Sequence, residues 1–162
     1  MTASPRTLDD VTATWMAGAL GVGIDSIDVQ PIAAGEGFMG QLARVRIDST
    51  DPDAPTSVIV KLPTSDPGGR MIGEMSRVWE REHHFYNEIA PLMQVRVPTA
   101  LVNIADPPCL VLEDLSPAVA GDHVAGATLD QAERAIDTLA HFHAAWYEQP
   151  LLHELSWMPG LD

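Results

Sequence analysis

A lysine set into a short apolar strand is the feature that most limits what this chain can fold into. Thr56 to Leu62 runs Thr-Ser-Val-Ile-Val-Lys-Leu between Pro55 and Pro63. Its β-branched, proline-bounded character reads as a buried strand, with Lys61 in apolar company. An ammonium is almost never buried without a partner, because removing it from water is costly. Either Lys61 lies near the strand end and snorkels to water, or a carboxylate further along meets it. Glu82 is the candidate. It falls on the apolar stripe of a helix expected over Gly73 to Ala90, three after Trp79, three before Phe85 and four before Tyr86. A cation in the strand and a carboxylate on that stripe are each costly alone and tolerable as a pair.

The remaining elements follow from periodicity. Thr7 to Leu20 carries Leu8, Val11, Trp15 and Met16 at helical spacing, and Gly21 is a plausible stop. Ile27 to Ile32 alternates as a half-buried strand. Ala33 to Gly40 is a glycine-rich turn into Gln41 to Ile47, where Ala43, Val45 and Ile47 take one side and Arg44 and Arg46 the other. With Thr56 to Leu62 these make an antiparallel meander. Val97 to Ile104 and Cys109 to Glu113 read as two more strands across Asp106-Pro107-Pro108. Thr128 and Gln131 form a capping box opening a helix down to Pro150, whose inner face is marked by Leu129, Ala132, Ile136, Leu139, His143 and Trp146. The expected fold is α+β, an antiparallel sheet of about five strands with one helix against it. The divisions are 1–115 for the sheet lobe, 116–127 for a Gly-, Ala- and Pro-rich linker, and 128–162 for a trailing helix and its sequel.

Composition excludes more than it assigns. The net charge is -14 with nine Lys and Arg in 162 residues, too few for a phosphate backbone, so nucleic acid is not an expected partner. No apolar run approaches the roughly 18 residues of a membrane helix, and no charged-then-apolar signal opens the chain. The single cysteine, Cys109, forms no internal disulfide and fits a reducing cytoplasm. It reads as a small core residue, with no activating base beside it.

Gly35, Gly37 and Gly40 would let backbone approach a bulky anion, and Lys61, one strand later, could reach the same phosphates. The spacing is neither a Walker loop nor a dinucleotide fingerprint, and a plain hairpin turn would also explain it. The order is more informative: glycine loop, strand lysine, helix glutamate is the order of a kinase small lobe. In Gly35-Glu-Gly-Phe-Met-Gly-Gln-Leu-Ala-Arg-Val-Arg46, Ser57-Val-Ile-Val-Lys61, Glu80-Arg-Glu-His-His-Phe-Tyr86, Val97-Pro98 and Leu110-Val-Leu-Glu-Asp-Leu115, the chain resembles the N-terminal lobe of aminoglycoside-phosphotransferase-like kinases. Within these it is most similar to the ecdysteroid-kinase-like (choline-kinase-like) branch. Gly121-Asp-His-Val-Ala-Gly126 and Leu139-Ala-His-Phe-His-Ala-Ala-Trp146 extend the likeness to about residues 25–150.

The resemblance implies ATP-dependent phosphorylation of a small-molecule hydroxyl. Lys61 would contact the ATP phosphates, Glu82 would fix its position, and the backbone of Glu113, Asp114 and Leu115 would hydrogen-bond the adenine. Read without the family, Glu113 and Asp114 are equally a solvated strand end, and His143 a satisfied core histidine. The family's His-Gly-Asp…Asn loop and later metal-binding Asp, which would hold Mg2+, have no counterpart after Trp146 in these residues, where His153-Glu154 is not such a loop. No catalytic residue is therefore assigned, and the chain alone is expected not to transfer phosphate. The alternative is a non-catalytic nucleotide-binding or interaction module. An apolar stripe on the helix from Thr128 to Glu148 (Leu139, Phe142, Trp146, Tyr147) predicts self-association, a second chain, or docking of that helix onto the sheet lobe.

Overall fold

The computed structural model describes residues 3–32, 40–119, 121–122 and 124–158. Five strands, β1 (Ser26–Ile32), β2 (Gly40–Asp48), β3 (Ser57–Pro63), β4 (Ala100–Ala105) and β5 (Pro108–Glu113), form one sheet in the order β1-β2-β3-β5-β4. Every pairing is antiparallel. The expected meander of β1, β2 and β3 is present, and β5 inserts between β3 and β4 to complete an α+β lobe of protein-kinase type.

One face of the sheet is sealed by the N-terminal helix α1 (Ala13–Leu20). Trp15 and Met16 pack there with Val45, Val58, Val60, Leu62, Cys109 and Val111, all buried. Burying each large apolar side chain stabilises the fold by about 1.5–3 kcal/mol. The helix is shorter than the periodicity of Thr7 to Leu20 predicts. Thr7 to Asp10 closes its own capping box around a 3-10 turn, and Thr12 then caps α1 by accepting from the Trp15 amide at 3.2 Å. Two successive caps divide what the apolar spacing alone reads as one helix. Gly21 ends it in the left-handed region at φ 73°, as the glycine predicts.

The helix expected over Gly73 to Ala90 is also divided. Helix α2 (Pro67–Met75) begins with Asp66 accepting from the Gly69 amide at 2.7 Å. The chain turns at Arg77, which takes a positive φ of 52°, and α3 (Val78–His84) starts. Gly73 lies against the Trp79 ring, so α2 folds back on α3 through a contact that only a missing side chain permits. Beyond α3 the chain continues as a π-helical turn, Phe85–Ile89, and a 3-10 turn, Ala90–Leu92. Met75, read as part of the same stripe as Ile89, is exposed on α2, whereas Ile89 is buried.

Helix α4 (Leu129–Trp146) starts with the predicted capping box of Thr128 and Gln131. Its expected inner face is mostly outward. Leu129, Ile136, Leu139 and His143 are exposed, and Ala132, Phe142 and Trp146 are half-buried. His143 is therefore not a core histidine. Among the described residues no helix is long and apolar enough to cross a membrane.

Candidate functional site

The alternation of β3 gives the site its place. Val58, Val60 and Leu62 point into the core, so Ser57, Ile59 and Lys61 point to the opposite face. Lys61 pairs in register with Leu42 on one side and Leu110 on the other. Its ammonium Nζ donates to Glu82 Oε1 across 2.6 Å. The expectation that the two would meet is met, while the expectation that they would be buried is not. Their side chains are 35% and 25% exposed, Lys61 lying outside the apolar core on the open face of the sheet. A pair this accessible contributes on the order of 0–1 kcal/mol to stability, so burial cost is not what brings these residues together.

Glu82 is positioned by a polar lattice on its own helix. No residue of α3 is buried. Asn103 of β4 donates to the His83 carbonyl and to Asn87 Oδ1, each at 2.9 Å, and its Oδ1 lies 2.7 Å from His83 Nδ1. The Asn87 amide nitrogen lies 2.9 Å from His83 Nε2. One asparagine thus fastens two turns of helix to the sheet. Burial first, and the negative charge of Glu82 second, push the Tyr86 phenol above its ordinary range. Tyr86 is therefore a neutral group on the Glu82 side of the π-helical turn.

Gly40 opens β2 directly beside this pair. A Cβ there would lie 3.4 Å from the Leu62 carbonyl oxygen and 3.8 Å from Lys61 Cε. The glycine segment therefore ends against the lysine, as the order of motifs predicts. Gly35 and Gly37 lie outside the described residues.

The predicted hinge has two acidic side chains with structural partners. Glu113 is bonded to Arg96 and accepts from the Thr99 amide at 3.1 Å. The Arg96 guanidinium, then the Thr99 amide, hold its carboxyl down to about 2. The Asp114 side chain is 4% exposed. It accepts from Arg44 Nε and Ser57 Oγ at 2.8 Å each, and from the Ser116 amide at 3.0 Å. Burial pushes its carboxyl up. The bonds from Arg44, Ser57 and Ser116, with the Arg44 charge, outweigh that and hold it below the usual range. Asp114 thereby ties the end of β5 to β2 and β3. The Glu113 amide donates to the Thr99 carbonyl at 2.8 Å, and the Leu115 carbonyl accepts from the Ala118 amide at 2.9 Å.

Cys109 is buried and its thiol is pushed up to about 12, chiefly by burial. It is inert core, as expected. Among the described residues no group of three His, Cys, Asp or Glu could hold a metal ion. The sequence reading missed Asn103, whose only trace is a polar residue between Val102 and Ile104, and Asp114 as a bracket, whose partner Arg44 is 70 residues away.

A five-stranded antiparallel sheet carrying a third-strand lysine paired with a helix glutamate is a kinase-like small lobe. The chain belongs to the ecdysteroid kinase-like family, whose family model matches residues 34–149. No curated protein matches it.

Proposed function

We propose that this chain is the ATP-binding lobe of a phosphotransferase acting on the hydroxyl of a small molecule. The observation that carries this is the Lys61–Glu82 pair, held at 2.6 Å on the face turned away from the apolar core and beside Gly40. A fixed ammonium there meets the charge of a bound polyphosphate, and Glu82 keeps it aimed between ligands. The family assignment adds that kinase-like chemistry is the class to test. The adenine edge would lie along the backbone from Glu113 to Leu115, and Gly35, Gly37 and Gly40 would let main chain approach the phosphates. Phosphoryl transfer also requires a carboxylate at the acceptor hydroxyl and metal ligands. On this reading the residues from Gly35 to Leu115 supply the nucleotide side of that reaction.

The test is calorimetric titration of magnesium-ATP into the wild-type chain and into Lys61→Ala. Saturable binding is expected, weakened about tenfold or more in the variant, since a hydrogen bond to a charged group contributes about 1.5–3 kcal/mol. No binding at millimolar ATP, or equal binding by both, would overturn the reading.

A second reading, an interaction module, is favoured by one observation. Of the stripe that predicts self-association or a partner chain, helix α4 leaves Leu139 exposed and Phe142 and Trp146 half-buried, and Leu129 and Ile136 are exposed on the same helix. Light scattering over a concentration series tests it, with a dimer that Ile136→Glu dissociates as the supporting result. A monomer at every concentration would remove the self-association.

A further inference from the structure

The segment that follows α4 does not trail away. It returns to α3 and grips the side opposite Glu82. Leu155 is buried, at 7% exposed. The Trp157 indole stacks on the His84 ring, with centroids 5.5 Å apart and planes 13° from parallel. Its Nε1–H donates to Glu88 Oε2 at 2.9 Å, a contact between residues 69 apart in sequence. Glu88 closes the group, its Oε1 lying 2.6 Å from His84 Nδ1. The Trp157 indole, then His84, hold the Glu88 carboxyl below its ordinary range.

The position of α3 rests on contacts of this kind. It has seven residues, none of them buried, and a helix so short is marginal without tertiary support. Asn103 holds His83 and Asn87 from the sheet side. Residues two apart on a helix point to nearly opposite sides. Glu82 can therefore meet Lys61 while His84 meets Trp157. We propose that residues 151–158 act as a clamp on α3, and that Trp157 is a positioning residue that sets how firmly Glu82 holds Lys61. The consequence for nucleotide rests on the function proposed above, whereas the clamp itself does not.

Lys61 is the single lysine of the chain, so its accessibility can be read alone. Acylation of Lys61 by an amine-reactive ester, followed by peptide mass spectrometry, is measured beside amide hydrogen exchange in wild type, Trp157→Ala and Trp157→Phe. The phenylalanine variant keeps a stacking ring and loses only the donor to Glu88. In Trp157→Ala, exchange across residues 78–89 is expected to rise about tenfold with β3 and β5 unchanged, and Lys61 to acylate several-fold faster. Trp157→Phe should fall between. Exchange that rises in the sheet as much as in α3, or Lys61 reactivity the same in all three chains, would overturn the proposal. Magnesium-ATP titration then separates the two ideas. Weaker binding by Trp157→Phe supports the coupling, and affinity equal to wild type overturns it. A wild-type chain that binds no ATP yet shows the exchange and acylation differences sinks the functional reading and leaves the clamp standing.

Discussion

The two faces of β3 divide the labour of the molecule between alternate residues of one strand. Val58, Val60 and Leu62 meet Trp15 and Met16 of α1 in a closed apolar layer. Ser57 and Lys61, one position off, meet Asp114 and Glu82 on a face that stays partly wet. The first face is held by area removed from water and the second by a few directed bonds. Contacts on the first are many and individually replaceable in chemistry, whereas those on the second are few and specific. Substitutions should accordingly fail in different ways: those in the closed layer in stability, and those at Lys61 in ligand binding.

The largest effect belongs to the closed face. Leu62→Ala leaves a cavity in a layer with almost no exposed surface, and should cost about 2–5 kcal/mol by urea unfolding. A loss under about 1 kcal/mol would mean that this layer is not the core of the lobe. Next comes the contact that folds α2 onto α3. A Cβ at Gly73 would stand 2.5 Å from Trp79 Cη2, with 2.7 Å to Cζ2. Gly73→Ala should therefore displace the ring and destabilise by about 1–3 kcal/mol, despite alanine's better helix propensity. Unchanged stability and an unchanged Trp79 environment would show that α2 can pivot freely.

The bracket at the end of β5 should fail with acid. Glu113, normally at 4.5, is held at about 2, and Asp114 is held below 3.8. Groups depressed on folding contribute stability that is present above their unfolded values and lost as pH falls through the folded ones. Stability should thus decline from about pH 4.5 towards pH 2. Asp114→Asn, which keeps the shape but loses the charge facing Arg44, should cost about 1–2 kcal/mol near neutrality and flatten that decline. A variant with the same acid slope as wild type would take Asp114 out of the balance and leave Glu113 to account for it.

The comparison of faces also explains what the sequence could and could not reveal. Alternation in β2 and β3 made Ala43, Val45 and the arginines fall on their correct sides, because period two is a property of the strand itself. Thr128 and Gln131 announced α4 for the same reason, since both partners of a capping box lie within one turn. Lys61 and Glu82 were legible as a pair because their order along the chain matches a known arrangement. Their exposure was not, because an apolar run does not tell whether one face or both are covered. The breaks at Thr12 and Arg77 were hidden for a different reason: apolar spacing carries no mark of the cap or the positive φ that divides a helix. The side-chain roles of Asn103, Asp114 and Trp157 were invisible because each acts through a residue tens of positions away, and the motif that holds Asp114 speaks for its backbone alone.

The smallest expected effect is the one that decides most. Lys61→Met keeps the length and apolar stem of the side chain and removes the ammonium. With Lys61 and Glu82 both open to solvent, the freed carboxylate can hydrate, so the loss of stability should be within about 1 kcal/mol. If unfolding instead shows a loss of several kcal/mol, Lys61 belongs with Leu62 as part of the scaffold, and the division between the faces of β3 collapses. If stability holds while magnesium-ATP binding falls, the lysine is kept for its ligand. A strand whose neighbouring residues separate so cleanly, one for folding and the next for binding, could then vary its ligand chemistry without loss of the lobe.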